Sequence, residues 1–509
     1  MPTHLITLVN YGMDIETSEN NLLDALVKSG INIPAYCSGR GICGKCKLKF
    51  VEPIPSPTLV ERKLLKDEEI EKGIRLACQH TLTTNVRLEI SENFNFDTFI
   101  KVNKNYKRTG KFLDLAVDLG TTTIYIKAID YTNKEWFFEA MCLNPLIMFG
   151  SDVISRITWI MQKNKGRFFS NILFEKISSL LTTSISRLGL NPQIRKMVIV
   201  GNNPMMHILL NLDVSKLALA PYDSPYLHEP ITVNSREYGF KDKFDILIPP
   251  SVEGFIGSDL LAVLYFLKDF LFKKNGAMID LGTNGELGLW NEESLFVTST
   301  AAGPAFEGMK IAHGMVAIDG AIKSFRIDRS FIIKTVNNKK PKGICGSGLI
   351  DIIAEFLKSD FIKRSGRINT DFSFKNDRIT VFNDSTEPIY LYQKDIREFQ
   401  LSKAAVSTAF KILLLESKIT LNDIEKIFLA GNFGSTLNLE NAMVVGLLPK
   451  VNKEKFKFIG NAALEGAVKL CLDEISGFKF LRNLRKNLKH VRLENDRRFF
   501  EMFIEAMSF

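Results

Sequence analysis

A duplication constrains this chain more than any other feature. Ala116-Val-Asp-Leu-Gly-Thr-Thr122 and Met278-Ile-Asp-Leu-Gly-Thr-Asn284 are near copies of each other, about 160 residues apart. In each copy an apolar run ends in an aspartate, a glycine and then hydroxyl or amide side chains. A buried strand running into such a turn can aim backbone N–H groups at an anion, with the hydroxyls as further donors. One copy alone reads equally well as a turn that closes a core strand. Two copies so far apart read as two homologous lobes, each with a phosphate-type loop at the same place. Neither loop carries the Gly-Lys-Ser/Thr of a Walker motif, and there is no G-x-G-x-x-G dinucleotide loop.

A chain of 509 residues exceeds what one hydrophobic core organises, so three or four folding units are expected. From about residue 112 onward, short apolar strands alternate with longer helical segments, an α/β pattern. The first 90 residues read differently. Residues 3–9 alternate apolar and polar, and a turn near Tyr11-Gly12 leads to a second short strand. Leu22, Leu23, Leu26 and Val27 line one helical face that Gly30 can close, and further strands follow around Leu48–Val51 and Val86–Ile90. Strand–strand–helix–strand is a β-grasp order, an α+β unit. The expected division is therefore 1–93 for the N-terminal domain, 94–111 for a basic linker, 112–272 for the first lobe and 273–509 for the second.

Four of the seven cysteines fall in the N-terminal unit, as Cys37-x5-Cys43-x2-Cys46-x31-Cys78. A long chain with so few cysteines is no disulfide scaffold; clustered soft thiolates point to a metal centre, and four of them complete a [2Fe–2S] site. Gly39, Gly41 and Gly44 between the ligands let backbone N–H groups turn toward the sulfurs. Zinc, with His80 as a ligand, is the competing reading, although zinc sites normally use two closely spaced ligand pairs. Cys142, Cys345 and Cys471 share no ligand spacing and read as buried structural residues. The loop Gly343-Ile-Cys-Gly-Ser-Gly348 is open between nucleotide binding and helix packing.

The net charge of +9 raises a nucleic-acid reading. The densest basic stretch, Lys479 to Arg492, carries Leu481, Leu484 and Leu488 at helical spacing and reads as an amphipathic helix with a solvated basic face, so no nucleic-acid partner is expected. No apolar run approaches a membrane span, and Met1–Asn10 has no signal-peptide pattern, so the expected location is the cytoplasm with no membrane partner.

The cysteine loop, with Leu76-Ala-Cys-Gln79 around its last ligand, resembles plant-type ferredoxins, and its x5 first spacing is nearer the adrenodoxin-like variants. The two acidic loops resemble the phosphate-1 and phosphate-2 motifs of the acetate and sugar kinase/Hsp70/actin superfamily. Gly254-Phe-Ile-Gly-Ser-Asp259 resembles its first connecting helix, Ile427-Phe-Leu-Ala-Gly431-Asn432-Phe-Gly434-Ser its adenosine motif, and Gly460-Asn-Ala-Ala-Leu-Glu-Gly466 its second connecting helix. That resemblance implies RNase H-like, actin-like ATPase lobes that bind ATP and Mg²⁺. Asp118 and Asp280 would position the metal and its waters. Gly120, Thr121, Thr122, Gly282, Thr283 and Asn284 would hold phosphates, and Gly431 and Asn432 the adenosine. Glu286 and Glu307 are candidates for orienting the attacking water.

The whole order is similar to the reductive activators of corrinoid enzymes. Gly201-Asn-Asn-Pro-Met-Met-His207, Thr300–Gly308, Gln393–Ala404 and Phe499–Phe509 extend the likeness over nearly the entire chain; Asn203-Pro204 and Glu465 depart from it. The resemblance implies a low-potential electron donor upstream and a corrinoid protein as acceptor, its Co(II) returned to Co(I) at the expense of ATP. A homodimer is among the expected assemblies. A small-molecule kinase with an accessory ferredoxin and an ATP-gated binding or chaperone module are the other function classes.

Overall fold

The structure is a computed structural model. It describes residues 3–509 apart from 30, 32, 34, 36, 38, 43, 91–98, 104–105, 107–111, 151, 164–165, 190, 224–225, 370–376, 386 and 432–436. Of the residues singled out above, Gly30, Cys43, Asn432 and Gly434 lie outside the described set.

The N-terminal unit is a five-stranded mixed sheet in the spatial order Met13–Thr17, His4–Leu8, Val86–Glu89, Lys47–Glu52, Ile74–Leu76. His4–Leu8 pairs antiparallel with Met13–Thr17 through a turn in which Gly12 takes a positive φ, and parallel with Val86–Glu89. The helix Leu22–Lys28, capped by the Asn21 side chain, buries Leu22, Leu23, Leu26 and Val27. The strand Ile74–Leu76 and the short helices Leu59–Leu64 and Asp67–Glu71 add to the expected β-grasp elements.

The two lobes repeat one topology. In the first, Phe112–Leu119, Thr123–Asp130 and Trp136–Leu143 form an antiparallel meander; Gln193–Gly201 and then Asp245–Ile248 join it in parallel beside the first strand. In the second, Gly276–Leu281, Gly285–Trp290 and Leu295–Thr300 form the meander, and Lys426–Ala430 and Phe456–Gly460 are the parallel additions. Each acidic loop is thus the hairpin between the first two strands of its meander. Inside the span read as a linker, Phe99–Val102 is a strand, pairing antiparallel with Trp136–Leu143 at the edge of the first lobe's sheet. Its residues are mostly exposed, as at a sheet edge, which is why its lysine-rich sequence reads as a connector.

Two helices cross between the sheets: Ser258–Phe266 and Ala462–Leu472. A Cβ on Gly466 would lie 2.1 Å from the carbonyl oxygen of Ala262, so the two backbones touch there. Their apolar faces share one core with Ala116, Val198 and Val200 of the first sheet and Met278 and Phe428 of the second. Glu465 reaches Lys127 of the first lobe, which also pairs with Glu139 at 3.1 Å. That contact accounts for one of the two departures from motif. The other, Asn203-Pro204, opens the helix Asn203–Leu209, where proline loses no helix hydrogen bond and Asn203 donates to the Gly254 carbonyl at 2.8 Å.

The basic stretch is the helix Glu474–Asn487, with Phe478, Leu481 and Leu484 buried, followed by the two-residue strand Lys489–His490. Its charges are not simply solvated. Arg485 donates to the Ser251 carbonyl at 2.8 Å, and Arg492 pairs with Asp223 (2.7 Å) and Glu253 (2.9 Å), so the stretch clasps loops of the first lobe. The Gly343–Gly348 loop serves helix packing: a Cβ on Gly348 would sit 2.0 Å from the Ile322 carbonyl oxygen, and the buried Cys345 thiol donates to that same oxygen at 3.2 Å. Among the described residues no helix is long and apolar enough to cross a membrane.

Candidate functional site

The duplicated loops face each other across the lobes. Thr122 Oγ1 and Thr283 Oγ1 are 3.1 Å apart, and both donate to the Glu307 carboxylate, at 2.7 and 2.5 Å. Each loop is closed by its glycine, with Gly120 N–H bonding the Thr123 carbonyl (3.0 Å) and Gly282 N–H the Asn284 carbonyl (3.1 Å). A Cβ at Gly120 would meet the Thr123 carbonyl oxygen at 2.7 Å, so only glycine fits that turn. The first loop is further braced. Asn202, after the strand Gln193–Gly201, donates to Thr121 Oγ1 at 2.9 Å, and the fully buried Arg156 donates to the Thr121 carbonyl at 2.7 Å.

Below the threonines lies a set of carboxylates. Asp118 and Asp280 are the penultimate residues of equivalent strands, Asp259 stands in the first turn of its helix, and Glu286 is the second residue of the second strand of its meander. Burial pushes Asp118 up to about 6, although Asn461 donates to its Oδ2 at 2.8 Å. Burial, with Asp118 close by, pushes Asp280 up to about 7. Burial and the charges of Asp118 and Asp280 push Asp259 up to about 8. Glu286 is raised well above its ordinary range by burial, then by Asp259 and Asp280. Such mutual repulsion favours protons on these groups, and among the described residues no three of them converge on a single ion. Gly431 lies beside them with φ +93°, and a Cβ there would come within 3.0 Å of Asp280 Oδ1.

The thiols form a second site. Cys37 and Cys46 are buried, and Cys78 is half-buried. The Cys78 thiol is drawn down to about 7, chiefly by a hydrogen bond from Cys46, with smaller help from Gln79 and the Gly41 N–H. Gln79 Nε2 lies 3.4 Å from the Cys78 sulfur. Gly39, Gly41 and Gly44 all take positive φ, which glycine adopts without strain. Among the described residues no three ligating side chains are set to hold a single ion, and the fourth thiol, Cys43, lies outside them. His80 is not part of the set, because its Nε2 pairs with the buried Glu61 at 2.9 Å. Burial opposes charge on Glu61, but bonds from His80, the Leu76 N–H and the Thr58 N–H keep its carboxyl below the ordinary range. This carboxylate thereby fastens the Leu76 backbone and the His80 ring, one on each side of Cys78.

Comparison with known proteins agrees with this two-part layout. Residues 9–83 match the 2Fe-2S iron-sulfur cluster binding domain, 113–268 the RACo middle region, and 274–509 the C-terminal domain of RACo, its ASKHA domain. The corrinoid activation enzyme RamQ of Eubacterium limosum is 31% identical over 421 residues, covering 78% of this chain and 70% of RamQ. The chain belongs to the RACo family of corrinoid activators. The [Co(II) methylated amine-specific corrinoid protein] reductase of Methanosarcina barkeri is 25% identical over 395 residues, 71% of this chain and 70% of that protein. A solved reductive activator for corrinoid, iron-sulfur protein aligns with a TM-score of 0.72 at 25% identity, covering 99% of this chain and 98% of that one. The N-terminal unit of this RACo-family chain is accordingly an iron–sulfur domain, and the glycine-lined thiol loop suits such a cluster.

The cleft of this RACo-type chain contains residues to which the sequence reading gave no site role: Asp259, Asn461 and Asn202, which lie within its motifs, and Arg156, which lies in none. A second duplication points to three of them. Gly201 ends one parallel strand and Gly431 follows its equivalent, each with Asn next in sequence, and Phe255-Ile-Gly-Ser-Asp259 and Phe458-Ile-Gly-Asn461-Ala462 lead into the equivalent crossing helices.

Proposed function

We propose that this chain performs ATP-dependent reductive activation of a corrinoid protein, passing a low-potential electron from its [2Fe–2S] cluster to return Co(II) to Co(I). The observation that carries this reading is the joining, in one RACo-family chain, of a cluster domain to a cleft where two duplicated threonine loops meet above a set of carboxylates. A plant-type cluster works at roughly −400 mV. Driving an electron to a lower couple costs about 2.3 kcal/mol per 100 mV, which gives ATP a physical task.

In this proposal residues 1–93 form the cluster domain, 94–111 the connector with its edge strand, and 112–272 and 273–509 the two ATPase lobes. Cys37, Cys43, Cys46 and Cys78 hold the cluster. Asp118 and Asp280 bind the waters of Mg²⁺, which retains several of its waters and takes few direct carboxylates. Gly120, Thr121, Thr122, Gly282, Thr283 and Asn284 receive phosphate oxygens, Gly431 and Asn432 leave room for adenosine, and Glu286 orients the attacking water. Mg·ATP supplies the free energy; the chain's own residues hold it and relate its binding to lobe closure. The test is the anaerobic Co(II)-to-Co(I) absorbance change of a corrinoid protein with cluster-loaded activator and a low-potential reductant. Reduction should require Mg·ATP. The same rate and extent without nucleotide would sink the coupling, and phosphorylation of a small molecule would establish the kinase reading.

The carboxylates also set a pH dependence. Asp118, Asp280, Asp259 and Glu286 have folded-state pKa values above the ordinary carboxylate range, so the folded chain holds protons that the unfolded chain releases. The stability they contribute is therefore full below that range and is lost as pH rises through about 6 to 8. A cation that replaces those protons offsets the loss. Mg²⁺ should raise the thermal midpoint more at pH 8 than at pH 6; equal shifts at both would show that it binds elsewhere.

A further inference from the structure

Glu307 occupies the hydroxyls that the proposed function assigns to phosphate. A threonine hydroxyl has one proton to donate. Those of Thr122 and Thr283 are both given to the same carboxylate, at 2.7 and 2.5 Å. Thr122 belongs to the first lobe and Thr283 to the second, so Glu307 bridges the lobes as a phosphate group would. Each hydroxyl proton serves one acceptor, so a phosphate that takes these two displaces Glu307 from them. Burial raises Glu307 above the ordinary carboxylate range, only partly offset by the Thr283 and Thr122 hydroxyls and the charge of Arg156, which itself bonds the Thr121 and Gly150 carbonyls and is thereby fixed in place.

The loop that carries Glu307 also reaches the cluster domain. Five residues on, the Ala312 N–H is held by Asp395 at 2.9 Å, and the Ala312 carbonyl accepts from Lys45 at 3.4 Å. Lys45 stands between Cys43 and Cys46. The intervening turn is tightly pinched: a Cβ on Gly308 would meet the Met315 carbonyl oxygen at 2.3 Å, and one on Gly314 the Gly308 carbonyl oxygen at 2.0 Å. A turn packed backbone against backbone moves as a unit, because close-packed elements shift between discrete arrangements and do not deform smoothly.

We propose that Glu307 is an internal stand-in for phosphate: nucleotide displaces it from Thr122 and Thr283, and the displacement passes through the 308–314 turn to the Lys45 loop around the cluster. This rests on the nucleotide reading given above and adds to it a specific competitor and a route. The contact holds the cleft against nucleotide and makes nucleotide binding felt at the iron–sulfur domain.

The test uses the cluster-loaded full chain, with AMPPNP and Mg²⁺ titrated calorimetrically and amide hydrogen exchange followed over residues 39–46 and 308–314. Glu307→Ala should bind the nucleotide at least about fivefold more tightly than wild type, the lower end of ordinary coupling between sites. Wild type should change its exchange in both segments when AMPPNP is added, whereas Glu307→Ala should show the nucleotide-bound pattern from the start. Glu307→Gln keeps the shape without the charge and should lie between the two, which guards against a folding defect in the alanine variant. Lys45→Met should bind AMPPNP as wild type does but lose the exchange response of residues 39–46. Unchanged or weaker binding by both Glu307 variants, with hydrolysis lost, would overturn the proposal and make Glu307 a water-orienting residue. If wild type itself fails to bind AMPPNP, the nucleotide reading falls and this proposal with it. Wild-type binding with no effect of Glu307 overturns this proposal alone.

Discussion

Replacing Asp280 with alanine in the cluster-loaded protein should lower Mg·ATP hydrolysis by roughly 10²- to 10⁴-fold. A carboxylate that positions a catalytic metal supplies several kcal/mol of transition-state stabilisation, and each 1.36 kcal/mol is about tenfold in rate. Asp280 is the sharper of the two tests. Asp118 Oδ2 accepts from Asn461, so its loss also removes a partner of the side chain that caps the helix Ala462–Leu472. Asp280→Ala instead removes a charge that raises both Asp259 and Glu286, so those two groups should ionise at lower pH in the variant. The variant should keep its iron and its visible absorbance yet fail to reduce Co(II). Wild-type turnover in both Asp118→Ala and Asp280→Ala would remove the assignment of the duplicated loops to Mg·ATP.

The second large effect is at the thiols. Wild type should carry about two irons per chain, as a four-thiolate [2Fe–2S] site requires. Cys37→Ser, Cys46→Ser or Cys78→Ser should lose or destabilise the cluster, leaving iron content and the red-brown colour near zero after anaerobic purification. Cys142→Ser should keep both, because that thiol is buried in the sheet of the first lobe and burial pushes it up to about 11, away from any thiolate chemistry. The cluster variants should still hydrolyse ATP while failing to reduce cobalt. A colourless wild-type protein with stoichiometric zinc would end the iron–sulfur reading.

Much of this architecture is legible in the chain because its signals are local. The thiol spacing, the two Asp-x-Gly-Thr turns and the glycines at crowded backbone positions each announce themselves within a few residues. The helix Leu22–Lys28 follows from its apolar face. What escaped detection is of two kinds. Ile74–Leu76 is too short, and Phe99–Val102 too exposed, for a period-two pattern to stand out. The rest is tertiary. No spacing tells that residue 307 sits between residues 122 and 283, that Asn461 reaches Asp118, or that Arg485 and Arg492 clasp loops some 230 to 270 residues earlier. The basic stretch reads as a solvated face because helical periodicity shows which side is apolar and is silent about what the polar side meets.

The crossing of the two central helices has a consequence for how this protein can be divided. Asp118 of the first half is completed by Asn461 of the second, Lys127 by Glu465, and Ala262 by the bare backbone of Gly466. Each half thus lends the other its missing piece, as two hands do in a handshake. A break between Phe266 and Gly276 would leave two fragments, each with an intact sheet and an incomplete cleft. Activity then becomes a property of their reunion, which makes this junction a natural place to build a split reporter whose signal is the reassembled site.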